Sequence, residues 1–246
     1  MSLAPVKRFL HSASRGIASL VFPDLCPCCL REGQWESCLA LWRSEASLRF
    51  IGKVPVISTV AYDDRAMSVV LAAKERGERR AKEFLTLAIS TGITRLDFKR
   101  PKDSLRVIIP IPSSKGAIRR RGEDFIHSLA KEVLRTVAIS DHHVVLLPIL
   151  RWKRAIRDQS ELTMRERIEN LADSLAVDER RLEKGLHSLD ITSAVRSGRD
   201  LEILLIDDVI TSGSTMAAAI SAISHSSLGV RSSITGITAC YSARGL

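Results

Sequence analysis

Aromatic side chains are scarce in this chain, at 4% of 246 residues, which argues against the base-stacking platforms used by single-strand nucleic-acid binders. No stretch of 18 or more apolar residues occurs, so the sequence offers no membrane-spanning helix. The commoner phosphate signatures are missing too: there is no G-x-x-x-x-G-K-[ST], and no G-x-G-x-x-G opens a helix after a strand. Cysteine is confined. Of five, Cys26, Cys28, Cys29 and Cys38 fall within thirteen positions, and Cys240 stands alone. That odd, local pattern fits a reducing compartment and a metal site better than a disulfide framework. The basic N-terminus carries only a short apolar run, Ile17–Phe22, with no small-residue cleavage site before the cysteines. A cytoplasmic protein is expected.

What is present is an ordinary globular composition, 45% hydrophobic and 26% charged, with a net charge of +9. The basic excess points to anionic partners; nucleotides, pyrophosphate and nucleic acid would all qualify. The length suits one α/β domain plus a small module. Composition changes near residue 50. Residues 1–50 hold the cysteine cluster and no clear strand, whereas residues 51–246 alternate apolar strand-like runs with helical periods.

The expected strands are Val56–Ala61, Arg106–Ile111, Val144–Leu150, Leu201–Ile206 and Ile234–Cys240. The expected helices cover Ala66–Lys74, Arg80–Ile93, Glu123–Val137 and Thr215–Ile223, with another starting at Thr163, where Glu166 gives capping-box spacing. Asp178–Arg199 is polar, lacks apolar periodicity and reads as a surface connection. Strands alternating with helices predict a doubly wound, mostly parallel sheet.

The most informative segment is LEILLIDDVITSGSTM, residues 201–216. A short apolar strand runs into Asp207-Asp208, then into Thr211, Ser212, Gly213, Ser214 and Thr215, then into a helix. Small hydroxyl residues and a glycine entering a helix N-terminus present backbone N–H groups and a positive dipole end to an anion. Two carboxylates beside such a cradle would repel a bare phosphate. They make sense if the ligand also offers hydroxyls or a bound Mg²⁺, as a ribose 5-phosphate does.

LLIDDVITSGST resembles the phosphoribosyl pyrophosphate (PRPP) motif of type I phosphoribosyltransferases. The resemblance implies that Asp207 and Asp208 engage the ribose hydroxyls and that Thr211 to Thr215 hold the 5-phosphate. Three further segments are similar to the competence-protein-F (ComF) family within that superfamily. They are VIIPIPSSKGAIRRRGEDFIHSLA (107–130), RWKRAIRDQSELTMRERIENL (151–171) and the cysteine entry LVFPDLCPCC (20–29). Two departures stand out: Glu123-Asp124-Phe125 replaces the family's Phe-Asn-Gln, and Ile156 stands where the family has Thr. The implied activity is Mg²⁺-dependent displacement of pyrophosphate from ribose C1 by an unidentified acceptor. A PRPP- or nucleotide-binding regulator without turnover, or an accessory protein of DNA uptake or processing, are the alternatives.

On that reading a basic loop, Ser113-Ser114-Lys115-Gly116 with Arg121 after it, neutralises the leaving pyrophosphate. A solvated basic loop touching nucleic acid is the rival account. Arg151–Asn170, with Gln159 near its centre, is either a flap that excludes water or a charged surface. Lys74-Glu75-Arg76-Gly77 resembles the family's Lys-x-x-Gly, and also reads as a plain helix C-terminus. His142-His143 reads as solvated loop. Among the cysteines, Cys26, Cys29 and Cys38 are candidate zinc ligands, with Cys28 a cramped fourth. The second knuckle is broken, because Leu41 stands three positions after Cys38, so a degraded knuckle packing as small apolar groups is the other reading.

Overall fold

A computed structural model describes residues 25–33, 35–43, 46–96, 104–141, 143–153, 174–189, 191–228 and 232–242. The expected helix from Thr163, most of the Arg151–Asn170 segment including Ile156 and Gln159, and His142 lie outside the described residues.

In chain order the elements are α1 (Trp35–Leu41), β1 (Ser47–Ile51), β2 (Val54–Ala61), α2 (Asp64–Glu75), α3 (Arg79–Thr94), β3 (Leu105–Pro110), α4 (Lys115–Arg121) and α5 (Phe125–Val137). Then follow β4 (Val144–Leu146), β5 (Leu150–Trp152), β6 (Leu175–Val177), α6 (Glu179–Ser188), α7 (Ile191–Arg196), β7 (Leu201–Ile210), α8 (Ser214–Ser224) and β8 (Ser232–Tyr241). Six strands form one sheet in the order β1-β2-β8-β7-β3-β4, and β5 and β6 form a small antiparallel pair. Only β1 runs antiparallel in the main sheet. The protein is therefore α/β, as the alternation of strands and helices predicts.

Pleating sorts the central strands onto two cores. Ile108, Leu204, Ile206 and Ile237 face a layer made by α2, α3 and α5, which Cys26, Cys28, Cys38 and Trp42 join. Val107, Ile109, Ile203 and Leu205 face the other layer, built from α6, α7 and α8. Helix α5 buries Phe125, Leu129, Val133 and Val137 along one face, widened by Ile126 and Ala130, with Leu134 partly buried beside them. Asp124 caps its start, accepting from His127 N at 3.3 Å. Gly236 lets α8 lie close on the sheet. A Cβ there would stand 3.0 Å from both Met216 Sδ and Val56 Cγ2.

Five expectations need correcting. Ser47–Ile51, in a region read as strandless, is β1; it joins β2 through a two-residue turn with Gly52 at φ +60. The single strand expected over Val144–Leu150 splits into β4 and β5 around Pro148, which cannot donate to a ladder. The basic segment after Ser114 is a helix, α4, with Ser114 as its N-cap. Asp178–Arg199 is not a bare surface connection: it forms α6 and α7 and buries Leu182 and Ile191. Finally, β7 does not stop at Ile206 but carries both aspartates as strand residues to Ile210.

Candidate functional site

The chain leaves β3 and β7, which are neighbours, in opposite directions. From β3 it crosses through α5 to β4 at the sheet edge, and from β7 it crosses through α8, on the other face, to β8. In open α/β sheets such a switch point opens a crevice at the strand C-termini. Here β3 pairs with β7 only as far as Pro110↔Ile206, whereas β7 and β8 stay in register through Asp207↔Thr238 and Val209↔Cys240 to Ile210↔Tyr241. The acids thus lie on a ledge just past the point where β3 turns away.

Two cavities meet at this ledge. The larger, of about 200 Å³, is lined by Asp207 and Asp208, by Ser113 and Ser114 after β3, and by Lys74 and Arg121. The smaller, of about 30 Å³, is lined by Asp207, Thr238 and the whole turn Thr211 to Thr215. Asp207 and Thr215 belong to both.

The turn is shaped for an anion. Gly213, at φ +72, is the N-cap of α8 and supplies no side-chain cap. The first helical bond runs from Ala217 N to Gly213 O at 2.8 Å, so the preceding N–H groups of the first turn are left to a ligand or water. Ser212 and Ser214 hydroxyls lie 2.9 Å apart across the dish. The loop after β3 is braced on both sides. Ser113 N donates to Asp124 Oδ1 at 3.2 Å, and Trp152 Nε1 donates to Pro112 O at 2.9 Å.

Electrostatics divide the acidic pair. Asp208 is buried, and Lys74 Nζ lies 2.5 Å from its Oδ2. Burial acts to lower the Lys74 ammonium, but the charge of Asp208 and its hydrogen bond outweigh that, and the pKa rises above the ordinary lysine value. Asp207 accepts from Asp208 N at 2.9 Å through Oδ1. Burial and the neighbouring Asp208 charge hold its carboxyl well above the usual aspartate range. Burial, followed by the Asp208 charge, raises the Tyr62 phenol as well.

The basic residues sort by exposure. Arg121 lines the larger cavity, its Nη1 lies 3.3 Å from Glu75 Oε1, and its buried Nε has no hydrogen-bond partner. Lys115, Arg119 and Arg120 are exposed on α4, and Lys115 is not part of the cavity wall. Lys74 takes the place on that wall expected for Lys115. Its signal in the sequence was the Lys74–Gly77 segment. Gly77 does close α2 at φ +64, so the plain helix-end reading holds as well. His143 is exposed in a turn, as expected.

Away from this cleft, the sulfurs of Cys26, Cys29 and Cys38 all lie within 4.8 Å of one another. The knuckle is tied by Cys26 N to Arg31 O (2.9 Å) and Leu30 N to Cys26 O (2.8 Å), with Leu30 at φ +60, and α1 brings in Cys38. The Arg31 backbone N–H lowers the Cys29 thiol, whereas burial raises Cys38. Cys28 is buried outside this triad. Three converging thiols could hold a soft or borderline metal such as zinc, which takes tetrahedral sulfur sites.

No family model matches the chain, and no curated protein matches it. Among the described residues, no helix is long and apolar enough to cross a membrane.

Proposed function

We propose that the protein is a phosphoribosyltransferase of the type I, ComF-like kind, taking PRPP and an unidentified nucleophilic acceptor. One observation carries the reading: an N–H- and hydroxyl-lined dish and a cavity with two cations share Asp207 and Thr215. A ligand with a phosphate at one end, a diol in the middle and a pyrophosphate at the other has that order of groups. The Thr211–Thr215 turn would hold the 5-phosphate through α8 N–H groups and hydroxyls. Asp207 and Asp208 would orient the ribose 2- and 3-hydroxyls as acceptors. Mg²⁺, carried with PRPP, would supply charge neutralisation at the diol and pyrophosphate; two carboxylates with substrate oxygens are a fitting donor set.

Chemically, a bond forms between the acceptor and C1 while the C1–O bond breaks, its electron pair leaving with pyrophosphate. Arg121, Ser113 and Ser114 would stabilise that developing charge, Arg121 from a side chain largely withdrawn from water. Positioning and charge stabilisation would do most of the work; an acceptor that is already nucleophilic as an anion needs no dedicated base. We read the Cys26, Cys29, Cys38 triad as a zinc site with a structural role, since it packs into the helical core beside Trp42.

A PRPP-dependent pyrophosphate release assay over a panel of bases and amines tests the proposal. It should be paired with thermal unfolding, where PRPP at about 100 times its dissociation constant adds roughly 2.7 kcal/mol. Binding without release under any acceptor would favour the regulator. Absence of binding by correctly folded protein would remove the reading. The exposed Lys115, Arg119 and Arg120 on α4 support one second reading, contact with nucleic acid. Binding that weakens steeply with salt and ignores PRPP would favour it.

A further inference from the structure

Lys74 is oddly placed for a site that is to receive a ribose and a metal. It lies in the last turn of α2, lines the larger cavity, and neutralises Asp208, the carboxylate such a ligand would need. Its side chain is 26% exposed, against 4% for that of Asp208, so Lys74 is the more accessible partner of the pair, and it lines the cavity. A destination lies close by. The Lys74 ammonium and the Arg121 guanidinium each stand 5.9 Å from the centre of the Phe125 ring. Arg121, with a side chain 10% exposed, brings to the same cavity a buried Nε that has no hydrogen-bond partner. An anion entering there would meet both cations.

We propose that Lys74 is a displaceable counter-ion. In the ligand-free protein it holds Asp208 and keeps the acidic pair from capturing a bare divalent cation. When a ligand brings its own metal and anionic end, Lys74 leaves Asp208 and turns to the anion beside Arg121. The second half of this cycle rests on the PRPP reading above; the first does not. The charge count supports it. With both carboxylates ionised, the charged groups lining the cavity, Asp207, Asp208, Lys74 and Arg121, sum to 0, and removal of Lys74 leaves −1. Mg²⁺ commonly binds through one or two carboxylates completed by substrate phosphates, so a pair blocked this way admits the metal only together with the substrate.

Three variants test this with simple probes: Mn²⁺ alone, and inorganic pyrophosphate alone without metal. Lys74→Met should bind Mn²⁺ roughly tenfold or more tightly than wild type, because a cation beside the metal position is gone. Lys74→Arg keeps the charge and should stay like wild type. Asp208→Asn releases Lys74 and should bind inorganic pyrophosphate roughly tenfold more tightly. Misfolding does not produce either gain. If Lys74→Met folds only with Mn²⁺, that dependence supports the proposal. If it does not fold at all, the Asp208→Asn result decides alone. Either gain missing in a folded variant overturns the proposal, as does a Mn²⁺ gain in Lys74→Arg equal to that in Lys74→Met. The PRPP reading fails separately: both gains with no PRPP binding by wild type would leave the counter-ion standing and remove PRPP. PRPP binding without the gains would do the reverse.

Discussion

Gly213 offers a way to separate backbone strain from ligand binding. Its φ of +72 lies in the left-handed region, and it starts the helix whose first N–H groups are assigned to a phosphate. Gly198, at φ +81, sits in an exposed turn after α7, away from both cavities, and a Cβ at that position would meet nothing within 4 Å. Replacing either glycine by alanine forces an L side chain into that region at about 1–2 kcal/mol. For a chain this size each kcal/mol lowers Tm by about 2–4 °C, so both variants should lose about 2–8 °C. Only Gly213→Ala should also lose ribose 5-phosphate. Relaxing the turn misdirects at least one charge-assisted N–H bond, worth about 1.5–3 kcal/mol. That corresponds to roughly tenfold to hundredfold in affinity. Calorimetry with ribose 5-phosphate on wild type, Gly213→Ala and Gly198→Ala makes the comparison. If Gly213→Ala shows the thermal loss yet binds ribose 5-phosphate like wild type, the turn is not the phosphate cradle.

Protein from zinc-replete medium should carry about one equivalent of zinc. Chelation should then change the emission of Trp42, which is buried beside the cysteines and packs edge-on to Phe84 with centroids 5.2 Å apart. Metal analysis returning none would leave the degraded-knuckle reading. Asp207→Asn should stabilise the ligand-free protein at neutral pH while weakening PRPP. The raised carboxyl of Asp207 means the folded state holds its proton more firmly than the unfolded chain. The penalty is therefore absent below the unfolded aspartate range, near 3.8, grows as pH rises from there to the folded pKa, and is constant above it. Denaturant titrations of both proteins across pH should converge in acid and diverge towards neutrality; parallel curves would refute the assignment. Arg106, fully buried in β3, pairs with Glu202 at 2.7 Å and lies 3.6 Å from Asp141. Glu202→Ala should cost about 3–5 kcal/mol by leaving that cation undercompensated, measurable by denaturant unfolding.

The sheet was readable because its central strands are buried on both faces, and such strands show as short continuous apolar runs between turn signals. Leu201–Ile206 and Ile234–Cys240 are of this kind. The same rule cut β7 short: a polar pair ended the apolar run, although β8 continues to pair alongside as far as Tyr241. Strand β1 escaped notice because Leu48 and Phe50, its regularly spaced apolar residues, stay 59% exposed at the sheet edge, so burial did not enforce a longer pattern. Among the described side chains, helices α6 and α7 each bury only one or two, too few to set a visible period; the Asp178 cap was the available sign. In the cleft, sequence proximity to the Arg121 run favoured Lys115. The wall cation beside Arg121 is Lys74 instead, on a helix that only the tertiary fold brings across.

The ledge formed where β7 and β8 outrun β3 has a consequence for how a ligand is received. Asp207 and its neighbours up to Ile210 are fixed by the adjacent strand before anything binds. A ligand therefore need not order that backbone, which in a loop would cost about 1–2 kcal/mol per residue. The 211–215 turn has no such ladder on either side, and Ser242 N to Ile210 O, at 2.9 Å, is the last ladder bond before it, made to the residue just after β8. Amide exchange should accordingly be slow on the ledge with or without ligand, and should slow on binding in the turn alone. Recognition of the sugar would then be rigid, and recognition of the phosphate adaptive.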